Sequence, residues 1–491
     1  MSSAVAAPRA DASRMSARRW TALAVISLAQ LVIALDATIM NIALPSAQRA
    51  LEISAADRQW VIAAYTLTFG GLVMLGGRIA DLFGRRRTFL VGLLGFAAAS
   101  AAGGAATNLG LLVGARALQG AFAALLAPTA LSLLAVTFTE PTDRARAFAV
   151  YGAIAGSGAA VGLLLGGLLV QELGWRWCLY VNVPIALVAA AGGRLFLPST
   201  PRRQSQHLDA LGAVLASCGL AALVYACGLA ASSGLGAGFV PALLAISTCL
   251  LGGFVLREAR TAQPLLPLRI LADRNRSGAY VAVGLAVAGM LGFYLFLTYY
   301  LQVALHYPPL LAGLAFLPLS AAVMLSSQLL GSRLGPGIRP RTLIVPGLLL
   351  AAAAMVLLSR ATPGASYLVH VLPSELLLGL GMGCVFVPAI GVATRGVDPQ
   401  EAGVAAAVVN TAQQVGGSLG IAVLNTVAVS VAGAYATAHA AGPGVASAAL
   451  VHGLSSAAVC GAGVLLLAAT LAAILINAPA ATRVDQQGER R

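Results

Sequence analysis

The sequence predicts an all-α integral membrane protein with about fourteen transmembrane helices, and three observations carry this prediction. The chain has 491 residues, of which 59% are hydrophobic and only 9% charged, whereas a soluble domain is about 45–50% apolar and about 25% charged. Apolar stretches of about 20 residues, the length that a bilayer core of about 30 Å requires, recur along the chain. The basic residues between these stretches alternate in density, which is typical of a membrane topology.

The predicted spans begin near the N-terminus. The first follows Arg14, Arg18 and Arg19 and so imitates a secretory signal, but it is too long for one and contains Asp36. We therefore predict an uncleaved first helix. The fourteen predicted spans are residues 20–44, 60–80, 89–106, 110–136, 147–170, 177–197, 210–231, 238–256, 279–302, 311–332, 342–359, 370–393, 403–430 and 450–477.

The arginines predict the orientation. All 30 basic residues are arginine, against 16 acidic residues, for a net charge of +14. With fourteen spans, 25 of the 30 arginines fall in the two tails and the alternate loops on one side. The exceptions are Arg49, Arg58, Arg176 and Arg360 on the other side and Arg116 within a span. Basic loops mark the cytoplasmic side, so we expect a multi-pass protein of the cytoplasmic membrane with both termini inside, and no nucleic-acid partner.

An internal repeat predicts the domain organisation. Residues 75–88 after the second span resemble residues 330–342 after the tenth, with a one-residue gap. The second and tenth spans correspond to each other if two six-helix bundles flank two extra helices. Such parallel repeats are a known plan of transporters. We predict a cytoplasmic tail at 1–19, an N-terminal bundle at 20–197, a linker with two extra helices at 198–277, a C-terminal bundle at 278–477 and a cytoplasmic tail at 478–491.

Several function classes are disfavoured by what the sequence lacks. The six cysteines form no CxxC pair, and the five histidines show no metal-ligand spacing. A chain without lysine cannot contain the Walker motif of ATP-driven transport. We therefore expect no metal, no cofactor and no enzyme activity.

Seven motifs in order resemble those of the major facilitator superfamily, and within it the fourteen-helix drug:proton antiporters. The resemblance covers about residues 20–477. The motifs lie at 35–45, 77–87, 116–120, 152–167, 175–184, 300–302 and 410–417.

The resemblance implies the fold of that superfamily and a proton-coupled antiporter that exports lipophilic, cationic or neutral drugs or antibiotics by alternating access. It implies protons, a lipophilic small molecule and the lipid bilayer as partners, and we expect a monomer. A dedicated exporter of a single metabolite or self-made antibiotic is the alternative. A non-transporting receptor or membrane enzyme on this scaffold is a remote one.

Asp36 and Arg116 are the candidate proton-coupling residues. A carboxylate inside a span is costly unless it is neutralised or paired, so Asp36 either loads protons or caps the helix end through Thr38, Asn41 or the backbone. Arg116 cannot be deprotonated. It either holds an acid ionised, as the resemblance implies, or reaches the interface as a snorkelling side chain.

A second set of residues is predicted to form a substrate site or a second proton site. Glu375 is the other acid within a predicted span, near Pro373 at its start, so the alternative is an interfacial acid at the mouth of the span. The other members of this set are Gln119, Tyr294, Asn410 and Gln413.

Two glycine-containing motifs complete the predicted sites. The loop after span two is implied by the resemblance to form a cytoplasmic gate, and its alternative role is to set the topology. Its members are Gly77, Asp81, Gly84, Arg85 and Arg86. The glycines of span five, Gly156, Gly162 and Gly166, have the spacing of small residues in close helix packing.

Overall fold

A computed structural model of the chain describes residues 7–138, 140–198, 209–233, 238–261, 264, 266, 268–329, 338–362, 366–395, 397, 402–439 and 444–479. Seventeen α-helices lie within the described part. They are α1 (Ala7–Ala50), α2 (Gln59–Phe83), α3 (Arg85–Gly104), α4 (Leu109–Thr137), α5 (Pro141–Glu172), α6 (Trp177–Tyr180), α7 (Asn182–Phe196), α8 (Ala210–Ser233), α9 (Val240–Arg260), α10 (Leu268–Ala272), α11 (Arg274–Tyr299), α12 (Pro309–Ala315), α13 (Leu317–Leu329), α14 (Arg341–Leu358), α15 (Leu372–Thr394), α16 (Ala402–Ala438) and α17 (Val445–Leu475).

The prediction of an all-helical membrane fold is confirmed. Eleven helical stretches in the described part are long and apolar enough to span a bilayer. The three other predicted spans coincide with α2, α5 and α8, where the described apolar stretches are shorter, at Gln59–Val73, Ala160–Glu172 and Leu211–Leu223. The count of fourteen therefore stays a prediction.

Several boundaries differ from those predicted. Helix α1 already begins at Ala7, within the predicted tail, and it continues past Pro45 to Ala50. Pro45 is tolerated because neighbouring helices and local adjustments satisfy the backbone groups that a proline frees. The sixth predicted span consists of α6 and α7, and the tenth consists of α12 and α13.

Local sequence explains where several helices begin. The Asn108 side chain caps α4 by accepting from the Leu111 N–H at 2.9 Å, and Asp273 caps α11 by accepting from the Arg276 N–H at 2.9 Å. Helices α2 and α3 meet at Gly84, whose φ of 91° is costly for any residue with a Cβ.

Contacts between helix ends place the start of α1 and the end of α17 on one side of the described part of the molecule. The Asn477 N–H donates to Asn275 Oδ1 at 2.7 Å, which joins the end of α17 to the start of α11. The far end of α11 meets α1, because Gln302 Nε2 donates to the Ile42 carbonyl at 3.0 Å. We call the side that holds the start of α1 and the end of α17 the terminal side and the opposite side the loop side.

The repeat predicted from the sequence appears as repeated helix packing. A Cβ added at Gly120 of α4 would lie 2.3 Å from the Tyr65 carbonyl of α2, and one added at Gly379 of α15 would lie 2.6 Å from the Leu319 carbonyl of α13. Helices α2 and α4 in the first half thus correspond to α13 and α15 in the second. Helix α8 packs against both α2 and α16.

Candidate functional site

Asp36 lies at the centre of a buried polar cluster in the first half. Its side chain has no exposed surface, and its Oδ2 accepts a hydrogen bond from the Arg116 guanidinium at 2.6 Å. Arg116 is 1% exposed. Helix α1 supplies the acid and α4 supplies the base, so this ion pair joins two helices inside the bundle.

Two amide side chains complete the coordination of the carboxylate. Gln119 Nε2 and Asn182 Nδ2 both donate to Asp36 Oδ1, each at 2.9 Å. The same two amides donate to Ser100 Oγ at 3.0 and 3.2 Å. Ser100 donates in turn to the Leu179 carbonyl at 2.8 Å. The carboxylate therefore receives donors from α4 and α7, and charge-assisted bonds of this kind are strong.

Arg116 makes three further contacts besides its bond to Asp36. Its Nε donates to the Val61 carbonyl at 3.1 Å, and its NH1 also donates to Gln119 Oε1 at 3.1 Å. Its Cζ lies 4.5 Å from the centroid of the Tyr65 ring, within the range of a cation–π contact. The alternative of a snorkelling arginine is wrong, because the guanidinium points into the bundle and contacts an acid.

The alternative of a helix cap for Asp36 is also wrong. Thr38 Oγ1 donates to the carbonyls of its own helix at Ala34 and Leu35, both at 3.2 Å. Asn41 Nδ2 donates to the Ala37 carbonyl at 3.4 Å. Both side chains bond their own turn of α1, which leaves Asp36 to the residues of the other helices.

Two buried polar atoms of the cluster have no hydrogen-bond partner among the described residues: Tyr65 Oη and Asn182 Oδ1. Unsatisfied buried polar groups are rare in proteins and mark places where a water or a ligand group enters. The cluster thus combines a charge pair with spare hydrogen-bonding capacity.

Glu375 lies in the second half without a basic partner among the described residues. It is fully buried, so an acid exposed at the mouth of the span is not what the structure shows. Its Oε2 lies 2.9 Å from the Tyr367 hydroxyl, and its Oε1 has no hydrogen-bond partner among the described residues. Tyr294 is also buried, and its ring packs against Phe316 at a centroid distance of 5.5 Å.

The two halves meet through polar contacts near the loop side. Arg58 Nε donates to Asn425 Oδ1 at 2.8 Å, and the Arg58 guanidinium lies 3.8 Å from the Tyr299 ring centroid. Tyr299 also donates to Gln48 Oε1. Arg58 is only 3% exposed, so these contacts close the seam between the halves at that side.

The remaining predicted residues are dispersed. Asn410 and Gln413 lie half-buried on α16. Gly162 and Gly166 lie against α1, where added Cβ atoms would meet Thr38 Oγ1 at 2.2 Å and Ile39 Cγ1 at 2.9 Å. The packing environment of Gly156 and the side chain of Asp81 lie outside the described part of the structure.

The rest of the predicted gate lies at the turn between α2 and α3. Gly77 faces Pro128 of α4 at 3.7 Å from its added Cβ. Arg85 is half-buried, and Arg86 donates to the Arg194 carbonyl at the end of α7. The Arg86 contact ties this turn to the first half.

Sequence reasoning missed Asn182, Ser100 and Tyr65 as members of the site. Asn182 lies in the 175–184 motif. Its one available signal was that it is a polar amide within a predicted span. Ser100 and Tyr65 carry no such signal, because small hydroxyl and aromatic side chains are common throughout the spans.

Comparison with known proteins identifies the family. The model of the Major Facilitator Superfamily matches residues 26–421. The puromycin resistance protein of Streptomyces alboniger is 53% identical over 462 residues, which cover 94% of this chain and 92% of that protein. The cephamycin export protein of Amycolatopsis lactamdurans is 39% identical over 414 residues, which cover 83% of this chain and 84% of that protein.

Solved structures agree on the fold. A transporter of the POT family has a TM-score of 0.66 with 17% identity, covering 93% of this chain and 98% of that one. A bacterial homologue of the human lysosomal transporter Spinster, in an inward-facing and unoccupied conformation, has a TM-score of 0.64 with 17% identity, covering 94% and 97%. The chain belongs to the major facilitator superfamily, whose members are membrane transporters and not enzymes.

Proposed function

We propose that the protein is a proton-coupled antiporter that exports antibiotic-like, lipophilic small molecules across the cytoplasmic membrane. The observation that carries the proposal is the fully buried pair of Asp36 and Arg116, joined at 2.6 Å. The relatives named for puromycin resistance and cephamycin export support the substrate class.

The chemistry of the pair supports proton coupling. Arg116 stays charged and stabilises the ionised form of Asp36, and three N–H donors hold the carboxylate. A proton that binds Asp36 neutralises the carboxylate and leaves the guanidinium without its counter-charge inside the bundle. Because such an uncompensated buried charge is costly, proton binding must be accompanied by rearrangement of α1 against α4.

The orientation and assembly belong to the same proposal. With the terminal side in the cytoplasm, the arginine-rich loops face inward, as the topology rule requires. The functional unit is a monomer of two six-helix bundles, residues 20–197 and 278–477, with two inserted helices between them. Rocking of the bundles about the seam would expose a central path to each side in turn.

A flux assay with purified protein in lipid vesicles tests the proposal. An outwardly directed proton gradient across the vesicle membrane should drive uptake of a lipophilic antibiotic, and collapse of that gradient by a protonophore should abolish the uptake. Uptake that is equal with and without the gradient would refute proton coupling.

A dedicated exporter of one antibiotic is the second candidate. It is favoured by relatives whose names each specify a single compound, including the tetracenomycin C resistance and export protein of Streptomyces glaucescens, 36% identical over 423 residues. The same vesicles, assayed with a panel of antibiotics and cationic dyes, separate the two: one transported compound indicates a dedicated exporter, and many indicate a multidrug pump.

A further inference from the structure

A groove runs along the outside of the second half, between α14 and α17. Its volume is about 470 Å³. Leu349, Val356 and Leu466 on its walls are 46%, 42% and 47% exposed, so the groove opens away from the bundle and toward the surrounding lipid. Ala352 and Ala353 lie between these walls, and their small side chains leave the space unfilled.

The groove has the length of one leaflet of a bilayer. Its α14 side consists of residues that recur every three or four positions and therefore share one face of the helix: Leu349, Ala352, Ala353, Val356, Leu357 and Arg360. The eleven steps from Leu349 to Arg360 cover about 16 Å along a helix axis. Half of the hydrocarbon core of a bilayer is about 15 Å thick. One acyl chain of one leaflet therefore fits along the groove.

Arg360 forms the loop-side end of the groove. Its neighbour Ser359 accepts a hydrogen bond from Ser455 near the start of α17. Two residues further on, the Thr362 carbonyl accepts from Tyr300 at the far end of α11, at 2.8 Å. These contacts place Arg360 at the loop side, where the phosphate groups of that leaflet lie.

The side chain of Arg360 is exposed and has no hydrogen-bond or ion-pair partner among the described residues. The other arginines outside the predicted cytoplasmic loops each donate to a protein oxygen: Arg49 to the Pro45 carbonyl, Arg58 to Asn425 Oδ1 and Arg176 to the Ala106 carbonyl. Arg360 thus differs from them in leaving all its guanidinium donors available.

No acid is at hand to pair with Arg360. The segments that connect the helices of the second half at the loop side are residues 303–308, 359–371 and 439–444, and they contain no Asp or Glu. Glu375 on α15 is fully buried and lies against Tyr367. A guanidinium binds a phosphate group through two parallel N–H donors, so a fitting anion must come from outside the chain.

The first half differs at the corresponding position. Helices α3 and α7 there take the places of α14 and α17. The short helix α6 covers the loop-side end of α3, because a Cβ added at Gly104 would lie 2.6 Å from the Tyr180 ring. Arg176, just before α6, is held by the Ala106 carbonyl at 3.1 Å. The chain itself therefore fills the place that stays open beside α14.

We propose that the groove between α14 and α17 binds an anionic phospholipid of the loop-side leaflet, with one acyl chain along the groove and the phosphate group on Arg360. The connecting segments offer no carboxylate to an ammonium group, so a headgroup without one fits best, and phosphatidylglycerol has this chemistry. This binding site does not depend on the proposed transport.

Binding of dioleoyl phosphatidylglycerol to the purified full-length protein in detergent tests the site. Native mass spectrometry counts the lipid molecules on each protein as the lipid concentration rises, and the wild type should show a tight, saturable site. Dioleoyl phosphatidylcholine, which adds an ammonium group, should bind more weakly. Glycerophosphoglycerol, the headgroup without chains, should not displace the lipid. Displacement by this headgroup alone would show a phosphate site that makes no use of the groove.

Arg360→Gln removes the charge at the end of the groove. It should weaken the binding of phosphatidylglycerol by about tenfold or more, because hydrogen bonds to a charged group are lost. Arg360→Lys keeps the charge and should bind more tightly than Arg360→Gln. Arg49→Gln is the matched control, since Arg49 is also exposed but bonds its own helix. It should bind as the wild type does.

Ala353→Phe fills the groove and leaves Arg360 in place. It should weaken binding as much as Arg360→Gln does, because the acyl chain loses its space. Ala245→Phe makes the same change at an exposed position of α9 and should have no effect. Thermal unfolding shows that each variant is folded before its lipid binding is compared.

Three results would overturn the site. The first is wild-type affinity for phosphatidylglycerol in Arg360→Gln, and the second is wild-type affinity in Ala353→Phe. The third is an equal loss of affinity in Arg49→Gln or Ala245→Phe, which would show that the lipid binds to the apolar surface in general.

Discussion

The two halves of the molecule each bury one acid, but they hold it in different ways. Asp36 in the first half has a permanent cation at 2.6 Å and two amide donors. Glu375 in the second half has one tyrosine hydroxyl at 2.9 Å. Separating a paired acid from its base is costly, because it leaves the base buried without a counter-charge. An acid that has no basic partner can change its charge without this cost. The acid of the first half is therefore the one to which we assign proton coupling.

The largest effect is expected from removing the base of the first half. Arg116→Leu leaves the Asp36 carboxylate buried without its cation, and breaking a buried pair costs about 3–5 kcal/mol. Glu375→Leu removes an acid that has no basic partner among the described residues, together with one hydrogen bond, which costs about 1–3 kcal/mol. Thermal unfolding of both purified variants measures the difference in stability. A smaller loss of stability in Arg116→Leu than in Glu375→Leu would contradict the contrast between the paired and the unpaired acid.

The double variant Asp36→Leu/Arg116→Leu sharpens the same comparison. Replacing both members of a buried ion pair with apolar residues is often close to neutral for stability, so the double variant should regain most of the stability that Arg116→Leu loses. It should still fail in gradient-driven efflux. A double variant as unstable as the single one would show that the loss in Arg116→Leu does not come from an uncompensated Asp36 carboxylate.

An intermediate effect is expected from Asn182→Leu. The substitution removes one donor to the Asp36 carboxylate, and hydrogen bonds to charged groups contribute about 1.5–3 kcal/mol. Asn41→Leu is the matched control, since Asn41 bonds only its own helix at 3.4 Å. The midpoint temperature of thermal unfolding should be clearly lower for Asn182→Leu than for the control. Equal losses of stability in the two variants would remove Asn182 from the site.

The smallest effect on stability is expected at the seam. In Gly313→Ala the added Cβ meets a backbone carbonyl of the other half, which should disfavour loop-side closure while each half stays packed. Gly114→Ala is the control, because nothing lies within 4 Å of an added Cβ there. The distance between spin labels at the exposed residues Leu173, just after α5, and Leu311 on α12 should lengthen in Gly313→Ala alone. An equal distance in both variants would contradict close packing at the seam.

The fold was predictable from the sequence because length, apolarity and arginine placement are properties of whole segments. The residues at which the helices begin and end were less predictable. The first span was predicted to end at residue 44, but α1 continues past Pro45 to Ala50, because packing inside the bundle outweighs the hydrogen bond that Pro45 cannot donate.

The site was predictable only in part. Asp36 and Arg116 stand out because charge within a span is rare, and that cost predicted a partner for each without naming it. Asn182 and Ser100 are brought to Asp36 by tertiary packing of α3 and α7, which leaves no periodic signal in the sequence. The contact of Glu375 with Tyr367 at 2.9 Å likewise follows from the folded geometry and not from a spacing along the chain.

Transport by Asp36→Asn tests the central claim most directly. Asparagine keeps the shape of the side chain but binds no proton, so the variant should lose uptake driven by the proton gradient. It should retain exchange of labelled for unlabelled antibiotic at equal pH on both sides, which needs no proton. Full gradient-driven uptake by Asp36→Asn would contradict the assignment of proton coupling to the Asp36–Arg116 pair.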